Sequence, residues 1–158
     1  IWREKEFVEK YNGLRYDTEN DSHSILEAEL PSGRSLIAVV NTELLKWDGK
    51  ASHPWILNVE LGYDGDGNGG MPDGAAFELL GTFEDDILEE LKDDDGYLNL
   101  GRQTADNSRE IYIACKDFRK PSKVMHEIEK KYAGKFEISY EIYKDKYWQS
   151  LERFKQDF

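Results

Sequence analysis

At 158 residues the chain has the size of one ordinary domain, and its 39% hydrophobic and 13% aromatic content excludes a disordered acidic chain. With 33 acidic residues against 21 basic ones the net charge is −12, so the surface repels phosphate backbones and anionic headgroups, and neither nucleic acid nor membrane is expected as a partner. Cys115 is the single cysteine, which excludes an intrachain disulfide, and no apolar run approaches the ~20 residues of a membrane span.

The elements follow in chain order. Ile1 to Tyr11 has helix-forming composition, with Trp2, Phe7, Val8 and Tyr11 as its apolar positions. Ser24–Leu30 and Arg34–Leu44 read as a β-hairpin joined through Pro31, Ser32 and Gly33. The second arm, Leu36 to Val40, is apolar on both faces and should be covered on both. Trp55–Tyr63 alternates, with Trp55, Leu57, Val59 and Leu61 on one face. Ala75–Lys92 is a helix whose apolar positions Ala76, Leu80, Phe83, Ile87 and Leu91 step by four and three, behind Asp73 as N-cap. Tyr97–Thr104 and Arg109–Cys115 form a hairpin around Ala105 to Ser108. Pro121–Tyr132 is a second helix, with proline in its first turn and Gly134 past its end. Phe136–Ile142 alternates again, and Tyr147–Phe158 closes the chain as a helix carrying Trp148, Leu151, Phe154 and Phe158.

From Trp55 onward the order is strand-helix-strand-strand-helix-strand, the split βαβ arrangement. Right-handed crossovers then place both helices on one face of an antiparallel sheet. The expected class is α+β with a ferredoxin-like βαββαβ core, an N-terminal hairpin that lengthens the sheet or covers its open face, and a C-terminal helix. The open face would show Tyr97, Asn99, Gln103, Tyr112, Glu137 and Glu141. The domain division is a single unit, with residues 1–48 as an extension and 54–158 as the core.

Several stretches carry a family resemblance in order: Pro54-Trp55, Gly70-Met71-Pro72, Phe83 to Leu88, Gly101-Arg102-Gln103-Thr104, Arg109 to Tyr112, and Asp145 to Trp148. Together they resemble the bacterial domain-of-unknown-function family 695 (DUF695). The resemblance implies a small α+β domain without an established activity. It also implies occasional fusion to domains similar to the regulator of ribonuclease E activity, a protein inhibitor, and so favours binding over catalysis by association. The N-terminal part departs from the family pattern.

On a wheel of Ala75–Lys92, Glu84 falls between Leu91 and Phe77, inside the apolar arc. A buried carboxylate needs a partner, because an unpaired buried charge costs several kcal/mol. Arg102 alternates with Leu98 and Leu100, and Arg109 with Ile111, Ile113 and Cys115, so both arginines are expected to point at the helices. The heights agree: Tyr97 to Arg102 climbs roughly 17 Å at ~3.3 Å per residue, and a helix covers that span in about eleven residues at ~1.5 Å each, which counted back from Lys92 arrives close to Glu84. Glu84 is therefore expected to pair with Arg102 or Arg109, either as a structural ion pair or as a ligand-binding constellation. A Glu84/Glu110 acid–base pair is disfavoured, since Glu110 alternates away from Arg109.

Asp64, Asp66 and Asn68 match the opening of an EF-hand loop, D-x-D-x-N-G, but position twelve is Ala75 where a bidentate glutamate belongs. The stretch reads either as a tight surface loop or as a weak calcium site; no other cofactor is indicated. His23, His53 and His126 lack metal-ligand spacing, and Cys115 sits on an apolar strand face as a core thiol. The acidic run from Glu84 to Asp95 reads as a solvated face or as a surface for a basic partner. Neither a phosphate-cradling glycine loop nor a nucleophile motif is present. The leading functional expectation is a non-catalytic protein-interaction or regulatory module with a protein partner or a second copy of itself. The alternative is an enzyme or small-ligand binder using Glu84, Arg102 and Arg109. The chain opens on Ile1 and not on Met, so an upstream stretch is expected, and the cytoplasm is the favoured compartment.

Overall fold

The antiparallel pattern written into the sequence closes into one six-stranded sheet. The computed structural model describes residue 18 and residues 21–155; the N-terminal helix expected over Ile1 to Tyr11, and Phe158, lie outside them. The strands are β1 (His23–Glu29), β2 (Ser35–Asn41), β3 (Trp55–Gly62), β4 (Tyr97–Ala105), β5 (Ser108–Cys115) and β6 (Glu137–Lys144). Their order is β1-β2-β4-β5-β3-β6, and every neighbouring pair is antiparallel. The hairpin β1-β2 lengthens the sheet beside β4, so the order differs from a simple four-stranded ferredoxin-like sheet.

Local chemistry sets the element ends. The β4–β5 turn places Asp106 and Asn107 at φ 51° and 70°, the pair of left-handed positions that a two-residue hairpin uses and that Asp and Asn tolerate. Asp73 caps α2 (Gly74–Glu90), its carboxylate accepting from the Ala76 N–H at 2.8 Å. β2 stops at Asn41, earlier than the sequence pattern implies. There the Asn41 side chain accepts from the Leu44 N–H at 3.1 Å and starts a one-turn helix, α1 (Thr42–Lys46). Helix α3 spans Arg119–Lys131.

Two cores lie on opposite faces of the sheet. On one, α2 and α3 cover Leu57, Val59, Leu61, Ile111, Ile113 and Cys115 with Leu80, Phe83, Ile87, Met125 and Tyr132. Here Cys115 is a core thiol, and burial pushes it well above the usual range. On the other face Ala38, Val40, Ile56, Leu98, Leu100, Tyr112 and Ala114 pack under Leu44, Leu45, Trp148, Leu151 and Phe154. The expected open face is thus covered by α1 and the C-terminal segment. Tyr97 and Asn99 are not on it: Tyr97 belongs to the α2–α3 core, and Asn99 borders Leu88 of α2 and Leu91 just past its end.

The C-terminal cover is a 3-10 segment, Gln149–Phe154, and not the helix expected from Tyr147. The indole of Trp148 is buried and donates to the His53 carbonyl at 2.8 Å, and its backbone stands at φ 55°, a left-handed conformation that an α-helix cannot run through. Asp145 secures the segment, accepting from the N–H groups of Gln149 and Ser150 at 2.9 and 2.8 Å and from the Ser150 hydroxyl at 2.7 Å. Burial pushes the Asp145 carboxyl up, but the donors of Ser150 and Gln149 outweigh it and leave the group below its ordinary value. Asp145→Ala is expected to cost about 1–2 kcal/mol, as loss of a capping carboxylate does. The wild-type contribution is complete above the unfolded value of about 4 and disappears as pH falls through the lower folded value. Urea titrations at pH 7 and pH 3 check this: the difference between wild type and variant should shrink on the acid side, and an equal difference at both pH values would refute the capping account.

Candidate functional site

A β-bulge in β4 builds the site. Asn99 pairs with Ile113 and Gly101 with Tyr112, so Leu100 has no partner on β5. One unpaired residue reverses the alternation of everything after it. Before the bulge, Leu98 and Leu100 face α1 and the C-terminal segment; after it, Arg102 lies opposite Ile111 and Thr104 opposite Arg109, all facing α2. Arg102 therefore does not share a face with Leu98 and Leu100 as simple alternation implies. It reaches the helix side because of the bulge.

There Arg102 meets Glu84, with Nη1 donating to Oε2 at 2.9 Å. Glu84 is 8% exposed, and its second oxygen, Oε1, is buried without a hydrogen-bond partner. Thus the expected pair is formed with Arg102. Arg109 is brought beside it but is not ion-paired: it is 4% exposed, and among the described residues no carboxylate lies within 4.0 Å of it. Its Nε donates to the Thr104 hydroxyl at 2.9 Å, and its guanidinium carbon sits 5.6 Å from the ring centre of Phe77. Burial, together with the charge of Arg102, pulls the Arg109 guanidinium below its ordinary value, against the opposing pull of Glu84 and Tyr63.

Arg102, Thr104 and Arg109 line a cavity of about 310 Å³. The remaining wall is apolar: Ile25, Ile37 and Val39 from the hairpin, Met71 and Pro72 from the loop before α2, and Phe77 from its first turns. Ile25 and Phe77 are 70% and 55% exposed at the rim. The hairpin carries the sheet beyond the two helices, so among the described residues the α2-side face of β1 and β2 has only the flank of α2 beside it. The sequence pattern marks Arg102, Arg109 and Glu84 but not this apolar wall, which depends on β2 lying next to β4. The opposition of Thr104 and Arg109 follows from the Asp106-Asn107 turn and could have been counted from it.

Glu110 is on the other face, accepting from the Tyr112 hydroxyl at 2.8 Å and from Gln103 at 3.4 Å. It cannot join Glu84 as an acid–base pair. A wider groove of about 840 Å³ runs between α2 and α3, bordered by Asp86, Glu89, Lys123 and Lys131. Asp86 is taken there by Lys131 and by the Tyr132 hydroxyl, a tie between the helices.

The acidic glycine loop is held by its own hydrogen bonds. Asp64 accepts from the Asp66 N–H at 3.2 Å, and the Asn68 amide donates to the carbonyls of Met71 and Pro72 at 3.4 and 3.2 Å. The Asp66 carboxylate accepts from Asn107 at 2.8 Å and lies 3.5 Å from Arg34, which hold it below the ordinary carboxylate range. Asp64 and Asn68 border one shallow depression together with Asp73. Among the described residues no group of three or more His, Cys, Asp or Glu side chains is placed to hold a metal ion.

Fold and site together define an α+β domain with a buried arginine at the base of a half-apolar pocket. The family of unknown function DUF695 matches residues 33–154, well over half of the chain, and the chain belongs to it. The matched stretch takes in β2 as well as everything from Trp55 to the 3-10 segment. No curated protein and no solved structure matches the chain. Among the described residues no helix is long and apolar enough to cross a membrane.

Proposed function

We propose that this domain is a non-catalytic regulatory module that recognises its ligand in the Arg102/Arg109 pocket. The observation that carries the reading is Arg109, a buried guanidinium that lines a cavity and has no carboxylate of its own among the described residues. A buried charge without a counter-charge costs several kcal/mol, and a chain retains one most readily where a ligand completes it. Catalysis is poorly supplied. The pocket wall carries no His, Cys or Lys, and the one nearby carboxylate is already bound to Arg102.

A protein partner is the second reading, favoured by the exposed Ile25 and Phe77 beside the pocket. Within this proposal β4-β5-β3-β6 with α2 and α3 is taken as a ferredoxin-like βαββαβ unit, supported by the strand order and the alternation of strands with helices. The single buried thiol suits a reducing compartment, the cytoplasm, and the net charge of −12 speaks against nucleic acid.

The test is a thermal-shift screen of the full chain against organic anions and short peptides, followed by mass spectrometry of each ligand that binds. Binders should raise the melting midpoint of the wild type, leave Arg109→Met unaffected, and be recovered chemically unchanged. Turnover of a binder, or equal shifts in both proteins, would overturn the reading.

A further inference from the structure

We propose that the pocket takes a small free organic acid, one carboxylate on a compact branched or aromatic body. This rests on the recognition reading above and names the ligand class for the same site.

Charge comes first. Arg102 is already neutralised by Glu84 at 2.9 Å, so among the described residues the pocket offers one uncompensated positive charge, that of Arg109. One charge suits a monoanion. A phosphate dianion or a dicarboxylate would bring a second negative charge close to Glu84, whose Oε1 already lacks a hydrogen-bond partner, on a chain of net charge −12. Geometry comes second. Thr104 takes only the Nε of Arg109, and among the described residues no other side-chain hydrogen bond is made by that guanidinium. Its planar terminal nitrogens match the two oxygens of a carboxylate, the pairing at which arginine excels. Phe77 over the guanidinium holds the plane in place.

The body of the ligand follows from the wall. Ile37, Val39, Met71 and Phe77 present hydrocarbon on several sides, and about 310 Å³ lies at the small end of pockets that hold organic ligands. A sugar phosphate or a nucleotide would leave its hydroxyls facing those side chains unpaired. The same carboxylate could also arrive as the C-terminus of a peptide. The small volume favours the free acid, which needs no further room.

The experiment titrates the full chain at constant ionic strength with benzoate and 4-methylpentanoate, following the amide signals of Val39, Phe77, Thr104 and Arg109 by NMR and the melting midpoint in parallel. Comparators are benzamide, phosphate, succinate, and a short peptide ending in phenylalanine with a free C-terminus. Saturable shifts at those amides, and a raised midpoint, are expected with the two monocarboxylates and not with benzamide, phosphate or succinate. Arg109→Met should weaken binding by about tenfold or more, the loss of a charge-assisted hydrogen-bond pair. Val39→Trp, which fills the cavity from a half-buried strand position, should abolish it and serves if Arg109→Met does not fold. No response to either monocarboxylate overturns the proposal, as does an equal response to benzamide or tight binding of the peptide with none of the free acids. If phosphate or succinate binds and the Arg109 variant loses it, the recognition reading stands and the ligand class assigned here falls.

Discussion

Gly101→Ala is expected to destabilise the domain by roughly 3–5 kcal/mol, a fall of about 10 °C in the melting midpoint. A Cβ on residue 101 would sit 2.3 Å from the Val39 carbonyl oxygen and 2.9 Å from the Val40 Cα, both in the backbone of β2. Neither atom can rotate away as a side chain would, so β2 and β4 would have to separate where they pair. The backbone adds its own demand: φ at Gly101 is +147°, where side chains of L-residues are rarely found. Because the same residue follows the bulge, relaxing it also disturbs the reversal that turns Arg102 toward α2. Chemical denaturation of wild type and variant decides the matter. A loss below about 1 kcal/mol would mean that the two strands slide apart freely and that the bulge is not fixed by glycine.

Glu84→Ala is expected to cost about 2–4 kcal/mol, because it leaves Arg102 and Arg109 side by side with no negative charge between them. The figure lies at the low end for a broken buried pair since the Arg102 side chain is 32% exposed and water recovers part of its charge. Replacing Glu84 and Arg102 together by leucine removes both charges from an apolar surround, and Glu84→Leu/Arg102→Leu should recover most of the loss. A double-mutant cycle by urea denaturation, with Glu84→Leu and Arg102→Leu as its single variants, measures this directly. Additive losses in the double variant would show that the two side chains act independently and that the ion pair does not tie α2 to β4.

Much of this arrangement is legible in the residues, though by an uneven route. Glu84 is placed inward by helical periodicity alone, and the structure buries it there, within the continuous helix Gly74–Glu90. Pairing of β4 with β5 follows from the Asp106-Asn107 turn. The facing of Arg102 is a different matter. Strict alternation groups it with Leu98 and Leu100 and then assigns that group to the helix side; both steps fail, and the bulge at Leu100 cancels one error with the other. A glycine inside a strand signals such a bulge, and Gly101 carries that signal. The pocket is less accessible to sequence reasoning. Leu36 to Val40 reads as covered on both faces, and Ala38 and Val40 are indeed buried, whereas Ile37 and Val39 border the cavity half-exposed. That outcome depends on β2 choosing β4 as neighbour, a long-range pairing that periodicity does not encode. The C-terminal segment fails as a helix for a local reason, the anchoring of Trp148 under His53.

Among the described residues β1 and β6 are the outermost strands, each with one hydrogen-bonding rim that no further strand pairs. Each rim carries charge: Glu27 and Glu29 are exposed on β1, and Glu137, Glu141 and Lys144 on β6. Charged side chains on an outer strand oppose the burial that edge-to-edge pairing requires, one of the devices that guard a sheet against fibril-like stacking. Association by strand addition is thereby discouraged at β1 and β6 alike.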